Sequence, residues 1–166
     1  MPTRSRGAQA NSIGYSRAAF SLLEVVIVVV ILGVIGAIAV PRFSRAASGA
    51  SEAAFIRQLS MYARAVDKFQ AKTGEYPPDF ATGTVTGPFT DFVDAERWAE
   101  PTPIGGLWDI EFASYGVTSA VGVAKTGGLD TNQILRIDRV IDDGNVVTGS
   151  ARFLDGTSRY YIVIAE

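Results

Sequence analysis

Residues 20–40 read FSLLEVVIVVVILGVIGAIAV, twenty-one consecutive positions whose only charge is Glu24. At the helical rise of ~1.5 Å per residue the run is about 31 Å long, which matches the hydrocarbon core of a bilayer. Val and Ile dominate it and in water would favour a strand, but soluble strands do not reach this length. In lipid the backbone must satisfy its hydrogen bonds within the segment, so a helix is compulsory. A secretory signal peptide is excluded by the same length. Its apolar region is about 7 to 15 residues and a small-residue cleavage motif follows it, whereas Pro41 and Arg42 follow here.

The flanks of the run carry opposite charge. Arg4, Arg6 and Arg17 are the only charges before residue 20, while the remaining sequence holds 12 basic and 17 acidic residues, in a chain of net charge −2. A basic leader before an apolar run reads as a segment kept on the cytoplasmic side, with the rest exported. The chain has no Cys and no His, which removes thiol nucleophiles, imidazole bases, disulfides and the usual zinc ligands together. It also lacks a Walker-type GxxxxGK[ST] loop and a basic, aromatic-interleaved stripe. These features predict a chain that is not an enzyme and has no nucleic-acid partner. Its 166 residues, 48% apolar, suffice for one core.

Glu24 demands a reason, because a carboxylate in such a run costs about 2.5–3.5 kcal/mol on insertion scales. One reading is that it snorkels to the headgroups from the cytoplasmic end of the helix. The other starts from a cut between Ala19 and Phe20, which creates a new ammonium four residues from Glu24. A neighbouring copy could present such an ammonium to the carboxylate, and only one axial stagger would pair the two.

The stretch Ala19-Phe20-Ser21-Leu22-Leu23-Glu24, followed by the Val/Ile run and Pro41, resembles the class III signal of type IV pilins and type II secretion pseudopilins. In that family a short basic leader is removed by a prepilin peptidase before an aromatic residue, and the new amino group is methylated. The resemblance therefore implies cleavage between Ala19 and Phe20, N-methylation of Phe20, an assembly role for Glu24, and a kink at Pro41 where the helix leaves the bilayer. Ala19 stands where the family normally has Gly. The resemblance further implies a homo-oligomeric helical filament, contacts with other pilins or pseudopilins, and addition of subunits through an inner-membrane assembly platform. The chain would be a single-pass protein of the bacterial inner membrane, its globular domain periplasmic, later part of a periplasmic or cell-surface filament.

Beyond the membrane, Phe55, Leu59, Tyr62, Val66 and Phe69 recur at spacings of 4, 3, 4 and 3, the signature of one helix face. Thr73-Gly74 before Tyr76-Pro77-Pro78 supplies the stop. Residues 74–106, rich in Gly, Pro and Thr, read as a surface connector with one helical turn near 91–98. The strings Gly74-Glu75-Tyr76-Pro77 and Thr102-Pro103-Ile104-Gly105-Gly106-Leu107-Trp108 resemble stretches that bridge helix and sheet in pseudopilins. Trp98 and Trp108 read as packing residues rather than a binding platform. Residues 107–113, 116–124, 146–153 and 159–164 carry strand patterns, with a hairpin at Asp155-Gly156. A short helix follows Thr131 through Ile134, Ile137 and Ile141.

The expected organisation is thus a removable leader (1–19), a membrane helix (20–41), its amphipathic continuation (42–73), a connector (74–106) and a small antiparallel sheet with a short helix (107–166). The fold class is α+β and pilin-like. Asp142 and Asp143, with Gly144 and Asn145, form the one oxygen-rich cluster. Its spacing is not that of a helix-loop-helix calcium site, and acidic turn residues ordinarily form a solvated turn. Major pseudopilins commonly bind calcium in a carboxyl-terminal loop, so the resemblance makes Asp142 and Asp143 calcium candidates; no other cofactor is expected. The function read here is a structural subunit of a type II secretion pseudopilus. The alternatives are a minor type IV pilin for adhesion, motility or DNA uptake, and a single-pass anchored binding protein whose helix is only an anchor.

Overall fold

The computed structural model describes residues 21–166. Its elements are α1 (Leu22–Thr73), a short 3-10 helix (Gly87–Asp91), α2 (Ala95–Ala99), β1 (Leu107–Ser114), β2 (Val117–Ala124), α3 (Thr131–Ile141), β3 (Ala151–Asp155) and β4 (Arg159–Ala165). Two compact units divide between Phe43 and Ser44. The described part of the first unit is the start of α1, and the second carries everything from Ser44 onward. The architecture is α+β and pilin-like, a long amino-terminal helix with a small antiparallel sheet.

The second unit is organised by the amphipathic stretch of α1. Phe55, Leu59, Tyr62, Val66 and Phe69 are all buried, and they meet a belt of aromatic rings. Phe55 stacks on Trp108 with centroids 5.4 Å apart. Tyr62 packs edge-on against both Trp98 and Trp108 at 4.7 and 4.8 Å, and Phe69 against Phe89 and Phe92 at 5.5 and 5.4 Å. Such edge and offset geometries are favoured by the ring quadrupole and add to the area buried. Trp98 and Trp108 are accordingly core residues, at 0% and 1% exposure. α1 stops where Gly74 takes a left-handed φ of 81° and its N–H donates to the carbonyl of Gln70 at 2.8 Å, a glycine-terminated helix end.

Residues 74–106 differ from the surface connector that their composition suggests. Val85, Phe89, Val93, Trp98 and Ile104 are buried in the same core, so the segment lines the helix instead of merely bridging to the sheet. Turn-forming composition describes the backbone of this stretch and not the destination of its sparse apolar side chains. α2 begins at Asp94, whose carboxylate accepts the N–H groups of Glu96 and Arg97. α3 begins at Asp130, which accepts from Asn132 and Gln133; both are standard side-chain caps.

The four strands pair antiparallel in the order β1-β2-β4-β3. β3 is shorter than the 146–153 run predicted for it and starts at Ala151, because residues 142–150 form a turn braced by carboxylates. Trp108, Val123 and Tyr160 are in register across the sheet and all join the core of α1. The neighbouring register, Asp109, Gly122 and Tyr161, has its side chains on the other face. There the Tyr161 ring, rooted on β4, crosses β2 at Gly122, and its hydroxyl donates to Asp109 Oδ2 on β1 at 2.7 Å. A Cβ at position 122 would lie 2.1 Å from the carbonyl oxygen of Tyr160 and 2.7 Å from Cγ of Tyr161. Only glycine leaves room for this crossing.

That face also buries charge. Asp109 and Glu111 are each 3% exposed; Arg159 donates from one Nη to Asp109 Oδ2 at 2.6 Å and to Glu111 Oε1. Burial raises the pKa of both carboxyl groups above the ordinary carboxylate range. Tyr161, Arg159 and Thr82 partly offset this at Asp109, as Ser114 and Arg159 do at Glu111. Two acids sharing one guanidinium leave an excess negative charge in a poorly solvated place, and proton uptake relieves it.

Gly122→Ala should therefore lower unfolding free energy by at least about 2 kcal/mol. Gly49→Ala, on the exposed side of α1 with nothing within 4 Å of the added carbon, should be neutral or stabilising by up to about 1 kcal/mol. Thermal unfolding of the full chain in detergent, followed by near-ultraviolet dichroism, measures both. The raised carboxyl groups fix a pH trend as well. The folded state binds their protons more tightly than the unfolded chain does, so this contribution is complete below the unfolded value of ~4 and is lost as pH rises through the folded values. Asp109→Asn should flatten that decline above about pH 4, and an unchanged slope in the variant would contradict the assignment.

Candidate functional site

The segment that starts at residue 20 is where sequence reasoning concentrated its candidates. Of these, Ala19 and Phe20 lie outside the described residues. Glu24 lies in the first turn of α1 and is exposed; the carbonyl of Ser21 accepts the N–H of Val25 at 3.2 Å, opening the hydrogen-bond ladder there. A carboxylate in the first turn interacts favourably with the unpaired N–H groups and the positive end of the helix dipole, a modest local benefit. That benefit is smaller than the cost of the charge in hydrocarbon.

Every Leu, Val and Ile between Leu22 and Val40 is 47–83% exposed. Nothing within the described chain covers them. A stretch of α1 is long and apolar enough to cross a membrane, and none of that stretch is buried by the protein. An apolar surface this large in water would aggregate, so its stable surroundings are lipid or the same surface of other helices. Gly33 and Gly36 interrupt the branched side chains, and no atom lies within 4 Å of a Cβ built at either. Pro41 sits inside α1. Having no N–H, it leaves the carbonyl of Ala37 without its usual donor, and Pro in a helix interior costs ~3 kcal/mol.

The acidic turn is a separate construction. Asp142 Oδ2 accepts the N–H of Ala151 at 2.8 Å. Asp143 accepts the N–H of Asn145 at 2.7 Å and the hydroxyl of Thr148 at 2.9 Å. Both carboxylates converge on Gly149, where a Cβ would fall 2.0 Å from Asp142 Oδ2 and 3.1 Å from Asp143 Oδ2. The two residues named as calcium candidates are thus brought together, and their oxygens already serve as acceptors that shape the turn. Among the described residues no three Asp, Glu, His or Cys side chains form a group able to hold a metal ion.

The densest polar network, around Asp109, Glu111, Arg159 and Tyr161, went unrecognised in the sequence. Alternation in β1 marks Asp109 and Glu111 as a solvent-facing pair, and the covering loop at residues 79–82 has no sequence signal that announces it. The one available hint was Arg159-Tyr160-Tyr161, a cation beside two aromatic residues in a strand. A third buried acid, Asp138, accepts from the Tyr160 hydroxyl at 2.6 Å; burial first, then Asp138, raises the pKa of Tyr160. These groups tie strands and α3 together and are largely consumed by one another.

Comparison with protein families returns a match over residues 15–40 to the prokaryotic N-terminal methylation motif. The match contains Ala19, Phe20 and Glu24 and ends one residue before Pro41. No curated protein and no solved structure matches the chain. The amino-terminal apolar segment therefore carries a prokaryotic N-terminal methylation motif, which supports the resemblance of this part of the chain to type IV pilin-like precursors.

Proposed function

We propose that this chain is a structural subunit of a pilus-type helical filament, made as a precursor, cut before Phe20 by a prepilin peptidase, methylated there and anchored by residues 20–41 in the bacterial inner membrane. The observation that carries this reading is Glu24: a single carboxylate in an apolar run of membrane length, inside the matched methylation motif. In the assembled state the ammonium of Phe20 from a neighbouring copy neutralises Glu24, and that pairing sets the axial stagger of the stack. A charge pair out of water is costly to break on one side only, because the abandoned partner stays buried. The leader faces the cytoplasm and the unit from Ser44 onward faces the periplasm, as the arginines of the leader favour.

Within that class, the pseudopilus of type II secretion is preferred. The chain has no Cys, so it cannot close the carboxyl-terminal disulfide loop found in many adhesive and motility pilins. Its small domain and the Tyr76-Pro77 region resemble secretion pseudopilins more closely. Assembly would proceed by addition of subunits from the membrane pool through the inner-membrane platform.

Amino-terminal sequencing and mass analysis of the membrane form should give a methylated Phe20 as first residue. A membrane form that retained Arg4, Arg6 and Arg17 would refute the processing step. Glu24→Leu should leave membrane insertion unchanged. It strands the neighbour's ammonium in lipid at a cost of about 3–5 kcal/mol, so recovery of sheared filaments should fall by roughly a hundredfold or more. Normal filament yield from Glu24→Leu would show that the carboxylate is not the register element.

A further inference from the structure

Along the amphipathic part of α1, the side facing away from the core carries Arg57, Arg64, Lys68 and Lys72, all exposed. Steps of seven, four and four residues keep these four on one narrow stripe of the helix, about 22 Å long. None of them joins an ion pair among the described residues. A second ridge lies beside the stripe. Residues 91–100 carry Asp91, Asp94, Glu96 and Glu100, all exposed, with Arg97 as the only cation. Arg97 is spent locally on Asp94, at 3.8 Å.

The two ridges run antiparallel over the same length of α1. Phe92 packs on Phe69 and lies under the Lys72 ammonium, 5.2 Å from the ring centroid. Trp98 packs on Tyr62, and Glu100 shares a surface cavity with Gln58 and Met61. The body therefore presents a cationic ridge on α1 and an anionic ridge packed beside it, over a similar length, with most of their charges unpaired among the described residues.

We propose that these ridges are the two halves of a lateral contact between neighbouring copies of this chain, Arg57, Arg64, Lys68 and Lys72 of one copy facing Asp91, Asp94, Glu96 and Glu100 of the next. The proposal rests on the filament reading for its setting and names the surface by which the exported domains meet. Two different patches on one molecule make a heterologous contact, which closes into a ring or, where each step also advances along the axis as in a helical stack, repeats without closing. Complementary potential of this kind selects the partner and its register more than it adds raw affinity. An isolated cationic stripe would suit any polyanion. The neighbouring anionic ridge of equal length is what favours a second copy.

The absence of Cys permits a direct test in the intact membrane-bound chain. Two differently tagged copies are co-expressed, one carrying Lys68→Cys and the other Glu96→Cys, and mild oxidation should give a disulfide-linked species bearing both tags. Pairing Lys68→Cys with Thr126→Cys, in the turn after β2, should give roughly a tenth of that yield or less. Equal yields from the two pairs, or no crosslink in either, overturn the proposal. Charge reversal supplies a second arm. Arg64→Glu with Lys68→Glu, or Glu96→Lys with Glu100→Lys, should each lower filament recovery about tenfold, and all four changes in one chain should restore it to within about threefold of wild type. Unimpaired assembly by either pair, or no rescue by the combination, refutes the contact. If the wild-type chain yields no filament yet the tagged copies crosslink at 68 and 96, the contact stands and the filament reading falls.

Discussion

The constraint on which the rest depends is that one helix must serve two solvents. Over residues 22–40 the side chains are almost wholly Val, Ile and Leu, types whose β-branching in water favours extended backbone. Lipid reverses the preference, since no water is present to satisfy an open N–H or C=O and only a helix pairs them all within the segment. A few turns later the same helix obeys the opposite rule. Between Phe55 and Phe69 it buries one stripe and leaves its cations in water, and its stability there comes from packing rather than propensity.

The aromatic belt explains why a small domain without disulfides has a defined core. Trp98 and Trp108 are the largest fully buried side chains, and each reaches α1 through Tyr62. Burying large rings gives more apolar area per residue ordered than aliphatic packing does. The connector contributes Phe89 and Trp98 to the same belt, so its turns are fixed from inside. The sheet then has two unlike faces: one apolar against the helix, the other organised by Tyr161 lying across Gly122 and by Arg159 shared between two acids.

The strongly periodic features were legible in the sequence. The apolar run, the 4-3-4-3 stripe, the short helix through Ile134 and Ile137 and the hairpin at Asp155-Gly156 each follow from local pattern, because each is decided by neighbours a few residues away. What stayed hidden depends on long-range register. That Asp109, Gly122 and Tyr161 share a row is a property of strand order β1-β2-β4, which no local signal encodes. Alternation by itself places Asp109 and Glu111 on the face away from the helix, and gives no sign that both are buried there beside residues 79–82. The start of β3 was misplaced for a similar reason: Val146 and Val147 look like strand residues, but Asp142 and Asp143 hold the backbone of 142–150 in a turn. The proposal at Glu24 rests on sequence alone, because its argument is one of solvation cost and needs no tertiary contact.

The two electrostatic devices proposed for assembly, Glu24 and the paired ridges, would work in different media, and this would separate their tasks. A charge pair in hydrocarbon is hardly screened by salt, and a mismatch there leaves an uncompensated ion, so it discriminates sharply between one axial stagger and the next. Exposed ridges interact over about 8 Å at physiological ionic strength and each pair is worth little alone. Four charges spaced along one rigid helix nevertheless reject a neighbour presented with the wrong flank, because like charges then face each other over the whole length. Stagger would thus be fixed in the membrane, where errors are expensive, and flank orientation in water, where contacts form and release readily. A filament built and dismantled by single-subunit steps needs both properties: a register that does not slip and a lateral contact that does not trap.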